Sequence, residues 1–188
     1  PSHRWYGNQQ VPVIVGVGEL SPRKDFATVI RGFARLRKQR ECKLVILGKG
    51  KEKDALLELI NQLNLQNDVE LAGFQPNPYA FMAHASAFVT ASRWEGLPAV
   101  ICEALAVGTA VVASNCPGHL EAIQDGKYGK SFAFGDDESL ASHLATTLDN
   151  IPSPAYLKEA AKPYSIENAT SEYLSAFGLP NYAHDIVT

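Results

Sequence analysis

The 188-residue chain predicts an α/β protein, an open parallel sheet of about six strands with helices on both faces and a C-terminal helical extension. Three observations carry this. Short valine- and leucine-rich runs recur with no polar alternation, as strands buried on both faces require. Between them, apolar residues repeat at helical spacing. The two kinds of segment alternate at short intervals, the pattern of a parallel sheet with crossover helices.

The first strand is read at 11–17, a nearly continuous valine run. A helix over 24–37 carries Phe26, Val29, Ile30, Phe33 and Leu36 on one face. A second buried strand at 44–47 ends in Gly48-Lys49-Gly50, and an amphipathic helix at 52–63 follows. Strands at 69–72 and 87–90 flank a short helix at 78–83. Gly96 and Pro98 then mark a turn opening a helix, with Pro98 suited to its first position. Further strands fall at 110–113 and 131–134, with helices at 119–124 and 138–148. Pro152, Pro154 and Pro163 interrupt the chain before a last helical pattern at 166–177. The domains follow: a linker at 1–10, a Rossmann-like domain at 11–150, and a helical extension and tail at 151–188.

Apolar content of 46% and a net charge of −3 describe an ordinary globular chain with no general electrostatic reason to bind nucleic acid. Arg31, Arg35 and Lys38 line one helix face, with Arg37 and Arg40 nearby. That face reads as a solvated surface, or as a weak dock for anionic lipids at the inner face of a membrane. Cys42, Cys102 and Cys116 form no paired motif, which suits buried thiols in the cytoplasm better than disulfides. No apolar stretch is long enough to span a bilayer.

Ligands of open parallel sheets sit beyond the carboxyl ends of the strands. Those ends carry Gly18 to Lys24, Gly48 to Lys51, Gly73-Phe74-Gln75, Ser92 to Gly96, and Ser114 to His119. A dinucleotide fingerprint is not met, because Ser21 stands where the third glycine belongs and no acid ends the second strand. From Ala99 to Val107 the helix is apolar on every side except at Glu103, so it is expected to be buried, with Glu103 in need of a partner. Glu95 stands just before that helix, whose N-terminus attracts anions. His119 and His84 read as polar surface or loop residues.

Several ordered segments carry a family resemblance: Gly18-Glu19-Leu20-Ser21-Pro22-Arg23-Lys24-Asp25-Phe26, Leu44 to Gly50, Asn77 to Met82, Ser92 to Gly108, and Cys116-Pro117-Gly118 with Glu121. Together they resemble the C-terminal, nucleotide-sugar-binding domain of family-4 retaining glycosyltransferases, one half of the GT-B architecture. The pair Glu95 and Glu103 resembles that family's E-x7-E motif. The resemblance implies that Glu103 holds the donor ribose and Glu95 contacts the transferring sugar. It implies that the amides from Leu97 through Pro98 and Ala99 to Val100, opened by Gly96, cradle the diphosphate, which Lys24 neutralises as it leaves. Gly18 and Arg23 would border the diphosphate, and the base would lie over Gly73, Phe74, Gln75, Gly48 and Gly50. No cofactor and no metal are implied. The implied partners are a nucleotide-sugar donor and an N-terminal acceptor-binding domain of the same polypeptide, without which the chain is expected to transfer no sugar.

One position departs from the resemblance. The family carries arginine after the first-strand glycine, and this chain has Glu19. Either Glu19 pairs with Arg23 or Lys24, or it weakens donor binding. A non-catalytic nucleotide-sugar-binding module and a sugar-nucleotide epimerase of the same build stay open as other classes.

Overall fold

Alternation along the strands decides how the layers form. The computed structural model describes residues 1, 3–6 and 11–178. Its elements run β1 (Val13–Val17), α1 (Phe26–Arg37), β2 (Lys43–Leu47), α2 (Lys53–Gln62), β3 (Val69–Gly73) and α3 (Pro78–Ala83). They continue with β4 (Ala87–Thr90), α4 (Ala99–Ala106), β5 (Val111–Ser114), α5 (Pro117–Ala122), β6 (Gly129–Phe132) and α6 (Asp137–Asp149). After these come α7 (Pro154–Glu159), a 3-10 turn at Lys162–Tyr164, and α8 (Ile166–Ala176). All strands are parallel, in the order β3-β2-β1-β4-β5-β6.

Ile14, Leu44, Ile46, Val89 and Val112 point to one face and bury Phe26, Phe33, Leu56, Ile60, Leu140 and Leu144 of α1, α2 and α6. Val13, Val15, Val45, Phe88 and Val111 point to the other and meet Phe81, Met82, Ile101, Leu105, Ala122 and Leu157 of α3, α4, α5 and α7. Every central strand is therefore apolar on both sides, which is why its sequence lacks alternation.

The differences from expectation have local causes. Helix α1 starts at Phe26 rather than Lys24, because Asp25 adopts a left-handed conformation (φ 47°, ψ 51°) and its carboxylate accepts from the Thr28 amide. β6 lies two residues earlier than read; as an edge strand it carries the polar Lys130 and Ser131, so apolarity does not mark it. Helix α5 starts at Pro117 and ends before Gln124 and Asp125, both at positive φ. The prolines at 154 and 163 sit in first helical turns, so α7 and the 3-10 turn form where interruption was expected.

Three of the basic residues on and just after α1 form ion pairs with acids of neighbouring elements. Arg35 pairs with Asp137 at 2.6 Å, Arg37 with Asp68 at 3.1 Å and Arg40 with Asp149 at 2.6 Å. Arg31 and Lys38 are exposed. Among the described residues no helix is long and apolar enough to cross a membrane. Cys42, Cys102 and Cys116 are free and buried, and burial pushes the first two thiols up to about 11. In the linker, Arg4 reaches Glu70 of β3 at 3.0 Å and Tyr6 packs edge-on against Phe81 of α3. Residues 2 and 7–10 of that segment and the tail beyond 178 lie outside the described residues.

The Asp25 cap is testable. Asp25→Ala removes the cap and puts alanine in a left-handed conformation, so denaturant unfolding should show a loss of about 1–2 kcal/mol. Asp25→Gly, free of that strain, should lose less.

Candidate functional site

Strand order reverses between β1 and β4, whose connections run to opposite sides, and the loops leaving the two strands part to form a crevice. On its β2 side three loops are laced together. Gly18 N–H donates to Leu47 O at 3.0 Å, and Gly48 N–H to Gly73 O at 2.8 Å. A Cβ on Gly48 (φ +148°) would stand 1.8 Å from Gly18 O, so only glycine allows the approach. These loops enclose a pocket of about 360 Å³ lined by Val17, Gly18, Glu19, Leu47, Gly48, Lys49, Phe74, Gln75 and Pro78. Phe74 is exposed, with the Lys49 ammonium 5.7 Å from its ring centre. Gln75 donates through Nε2 to Ala72 O, which fixes its amide at the rim. Gly50 packs against Leu20 O.

Glu95 occupies the centre. Its Oε1 accepts from Lys24 Nζ and from Arg23 Nη1, each at 2.6 Å. The Lys24 stem runs over Gly18, where a Cβ would come within 3.2 Å of it, and the Arg23 guanidinium lies 5.1 Å from the Trp94 ring centre. Arg93 N–H donates to Arg23 O at 2.9 Å and ties the two loops together. Burial disfavours the Glu95 charge, but hydrogen bonds from Lys24 and Ser92 and the charges of Lys24 and Arg23 outweigh it and hold the carboxyl below its ordinary value.

The helix beyond Glu95 corrects two readings. Pro98 is the N-cap of α4, not its first helical residue. Ala99 N–H is already bonded to Leu97 O, and among the described residues the amides of Leu97 and Val100 have no backbone partner. Gly96 and Leu97 are exposed above them. Nor is α4 buried all round. Ala99, Glu103 and Ala106 share one open face, four and three residues apart, and the small alanines had made that face look like core. Glu103 is half-buried and accepts from the Tyr79 hydroxyl at 3.2 Å, a carboxylate that pushes the phenol up. It borders a groove with Ala106, Lys158, Lys162 and Tyr164.

Glu19 is exposed at the pocket rim and makes no ion pair among the described residues, because Arg23 and Lys24 are taken by Glu95. His84 is exposed at the end of α3, bonded to Ala80 O. His119, read as a surface or loop residue, is instead completely buried. Its Nδ1 lies 3.0 Å from both the Ser114 carbonyl and hydroxyl oxygens. Burial pulls this imidazole below its ordinary value, and Glu95 and Lys24 are close enough to act on it in opposite directions. The sequence signal was faint: Ser92 and Ser114 are polar residues at the ends of otherwise apolar strands, with a histidine five residues on. Among the described residues no group of three or more His, Cys, Asp or Glu is placed to hold a metal ion.

The sequence matches the family of glycosyl transferases group 1 over residues 4–163. The chain belongs to that family. This glycosyltransferase domain is 41% identical over 138 residues to the N-acetylgalactosamine-N,N'-diacetylbacillosaminyl-diphospho-undecaprenol 4-alpha-N-acetylgalactosaminyltransferase of Campylobacter jejuni, covering 73% of this chain and 37% of that one. It is 45% identical over 105 residues to an uncharacterized glycosyltransferase of Methanocaldococcus jannaschii, covering 55% and 26%. The chain therefore spans well under half the length of these curated relatives. Its fold matches the lipopolysaccharide outer core galactosyltransferase WaaB in its apo form (TM-score 0.81, 20% identity, 90% of this chain and 50% of that one). It also matches HepE of Anabaena in complex with UDP (TM-score 0.76, 24% identity, 88% and 49%). The architecture is that of a GT-B C-terminal domain.

The Glu95 cluster predicts an acid-dependent stability. Its folded pKa lies below the ordinary 4.5, so the charged carboxylate stabilises the fold above that value and the contribution is lost as pH falls through the folded pKa. The stability difference between wild type and Glu95→Gln, followed by denaturant titration, should be constant near neutrality and shrink below about pH 4.5.

Proposed function

We propose that this chain is the donor-binding half of a retaining glycosyltransferase that takes a sugar from a nucleoside-diphosphate sugar, for glycan, polysaccharide or glycolipid synthesis. The observation that carries the reading is the pairing of Lys24 and Arg23 on one Glu95 oxygen, beside a pocket large enough for a nucleobase. Two cations on a single carboxylate are more than its charge requires. One of them can pass to an arriving diphosphate while the other keeps Glu95 ionised.

In this reading the base lies between Phe74, Gln75 and the Gly48–Gly50 loop, and Glu103 takes the ribose hydroxyls in place of the Tyr79 hydroxyl. The free amides of Leu97 and Val100 meet the diphosphate at the helix N-terminus. Lys24 stabilises the charge that grows on the leaving diphosphate, a contribution that is larger in the transition state than before it. Glu95, anchored at the crevice centre, orients the sugar. UDP is the first nucleotide to try, since HepE, with the same fold, binds it. Ile166, Tyr173 and Phe177 stand exposed along α8 and offer an apolar face to an acceptor-binding domain.

Calorimetry with UDP and uridine tests the reading. Lys24→Ala should cost about 1.5–3 kcal/mol of UDP affinity, the range for hydrogen bonds to charged groups, and leave uridine almost unaffected. Equal losses for both ligands would remove Lys24 from the diphosphate.

Glu19 tests the same site from the opposite side. Unpaired and beside the expected diphosphate, it should repel it, so Glu19→Ala should strengthen UDP binding at low salt, with the gain fading as salt is raised. Weaker binding by Glu19→Ala would mean that it supports the donor instead.

A further inference from the structure

His119 is 0% exposed, its Nε2 has no hydrogen-bond partner among the described residues, and the neighbouring Gly118 packs against the loop that carries Glu95. Ser114 O can only accept, so the imidazole carries its proton on Nδ1. The Ser114 hydroxyl spends its own proton on Ser92 O at 2.6 Å, leaving a lone pair for Nδ1–H. The Ser92 hydroxyl, 3.4 Å from Thr90 Oγ1, is one of the groups that hold the Glu95 carboxyl below its ordinary value. The donors of His119 and Ser114 are thus both used toward the segment that leads to Glu95. The neighbouring Gly118 completes the floor, since a Cβ there would stand 2.0 Å from Gly96 O and 2.6 Å from Glu95 O.

We propose that His119 is a positioning residue for Glu95: through Ser114 and Ser92 it holds the β4–α4 loop at the height where the carboxylate meets Lys24 and Arg23. A side chain kept for packing alone would not need to bury an acceptor without a partner, which is costly. Leucine or methionine would fill a similar volume without that cost. The groups that bear on the imidazole are Ser114, Lys24 and Glu95. Burial disfavours its protonation, so the neutral Nδ1–H form is the working one. For its consequence in binding, the proposal rests on the donor-site reading; its geometry does not.

Two variants separate the ring nitrogens. The side-chain amide of His119→Asn can donate from near the Nδ1 position, and that of His119→Gln from near Nε2. Carbon-13 NMR of the Glu95 carboxyl, with calorimetry of UDP and uridine, reads both in the whole chain. With His119→Gln, the Glu95 titration should move up toward the ordinary 4.5, and UDP affinity should fall about tenfold with uridine unchanged. His119→Asn should restore both. A folded His119→Gln whose Glu95 titrates as in wild type overturns the proposal, and so does an equal effect of the two variants. Should His119→Gln not fold, Ser114→Ala cuts the same connection at its middle and is read in the same way. If wild type binds no UDP, the donor reading falls alone, and the Glu95 titration still decides the role of His119.

Discussion

The ion cluster at Glu95 depends on one topological fact: β1 and β4 lie side by side although 69 residues separate Val17 from Ala87 in sequence number. Lys24 and Arg23 leave the end of β1, and Glu95 leaves the end of β4, so pairing them bridges the switch point of the sheet. The remaining parts of the site are arranged around that bridge. The laced glycine loops lie on its β2 side, the α4 N-terminus above it, and the Ser92–Ser114–His119 chain beneath.

A half-buried carboxylate at such a place is a hazard unless its partners are assured. Removing it from water disfavours its charge, and a single flexible cation would repay this poorly. Here the partners are made rigid by the backbone. Asp25 ends the loop in a left-handed conformation that starts α1 and settles where Lys24 leaves the chain. The bond from Arg93 N–H to Arg23 O clamps one loop to the other. The cluster is consequently a property of the strand ends rather than of long side chains meeting by chance.

Glu19 stands where the resemblance leads one to expect a cation. It is acidic, yet the crevice keeps two cations, and both are turned toward Glu95 rather than toward Glu19. The acid is left in solvent at the pocket rim, where its charge costs the fold little but faces anything anionic that enters.

The sheet was legible in the sequence because burial on both faces leaves a strong mark: short apolar runs without polar alternation at β1, β2, β4 and β5. Helices α3 and α4 were legible through their turn residues, Asn77 and Pro78 in one case and Gly96 and Pro98 in the other. Where polarity and burial part company, the sequence misled. Ala99 and Ala106 are small enough to pass for core while lying open beside Glu103, and His119 and Ser114 are polar while lying in the interior. The family motifs named Lys24, Glu95 and Glu103 by order along the chain. That Glu95 takes both cations, that Glu103 is met by Tyr79, and that Glu19 goes unpaired depend on distances between loops far apart in sequence. Those distances exist only once the parallel strands have brought their carboxyl ends to one edge.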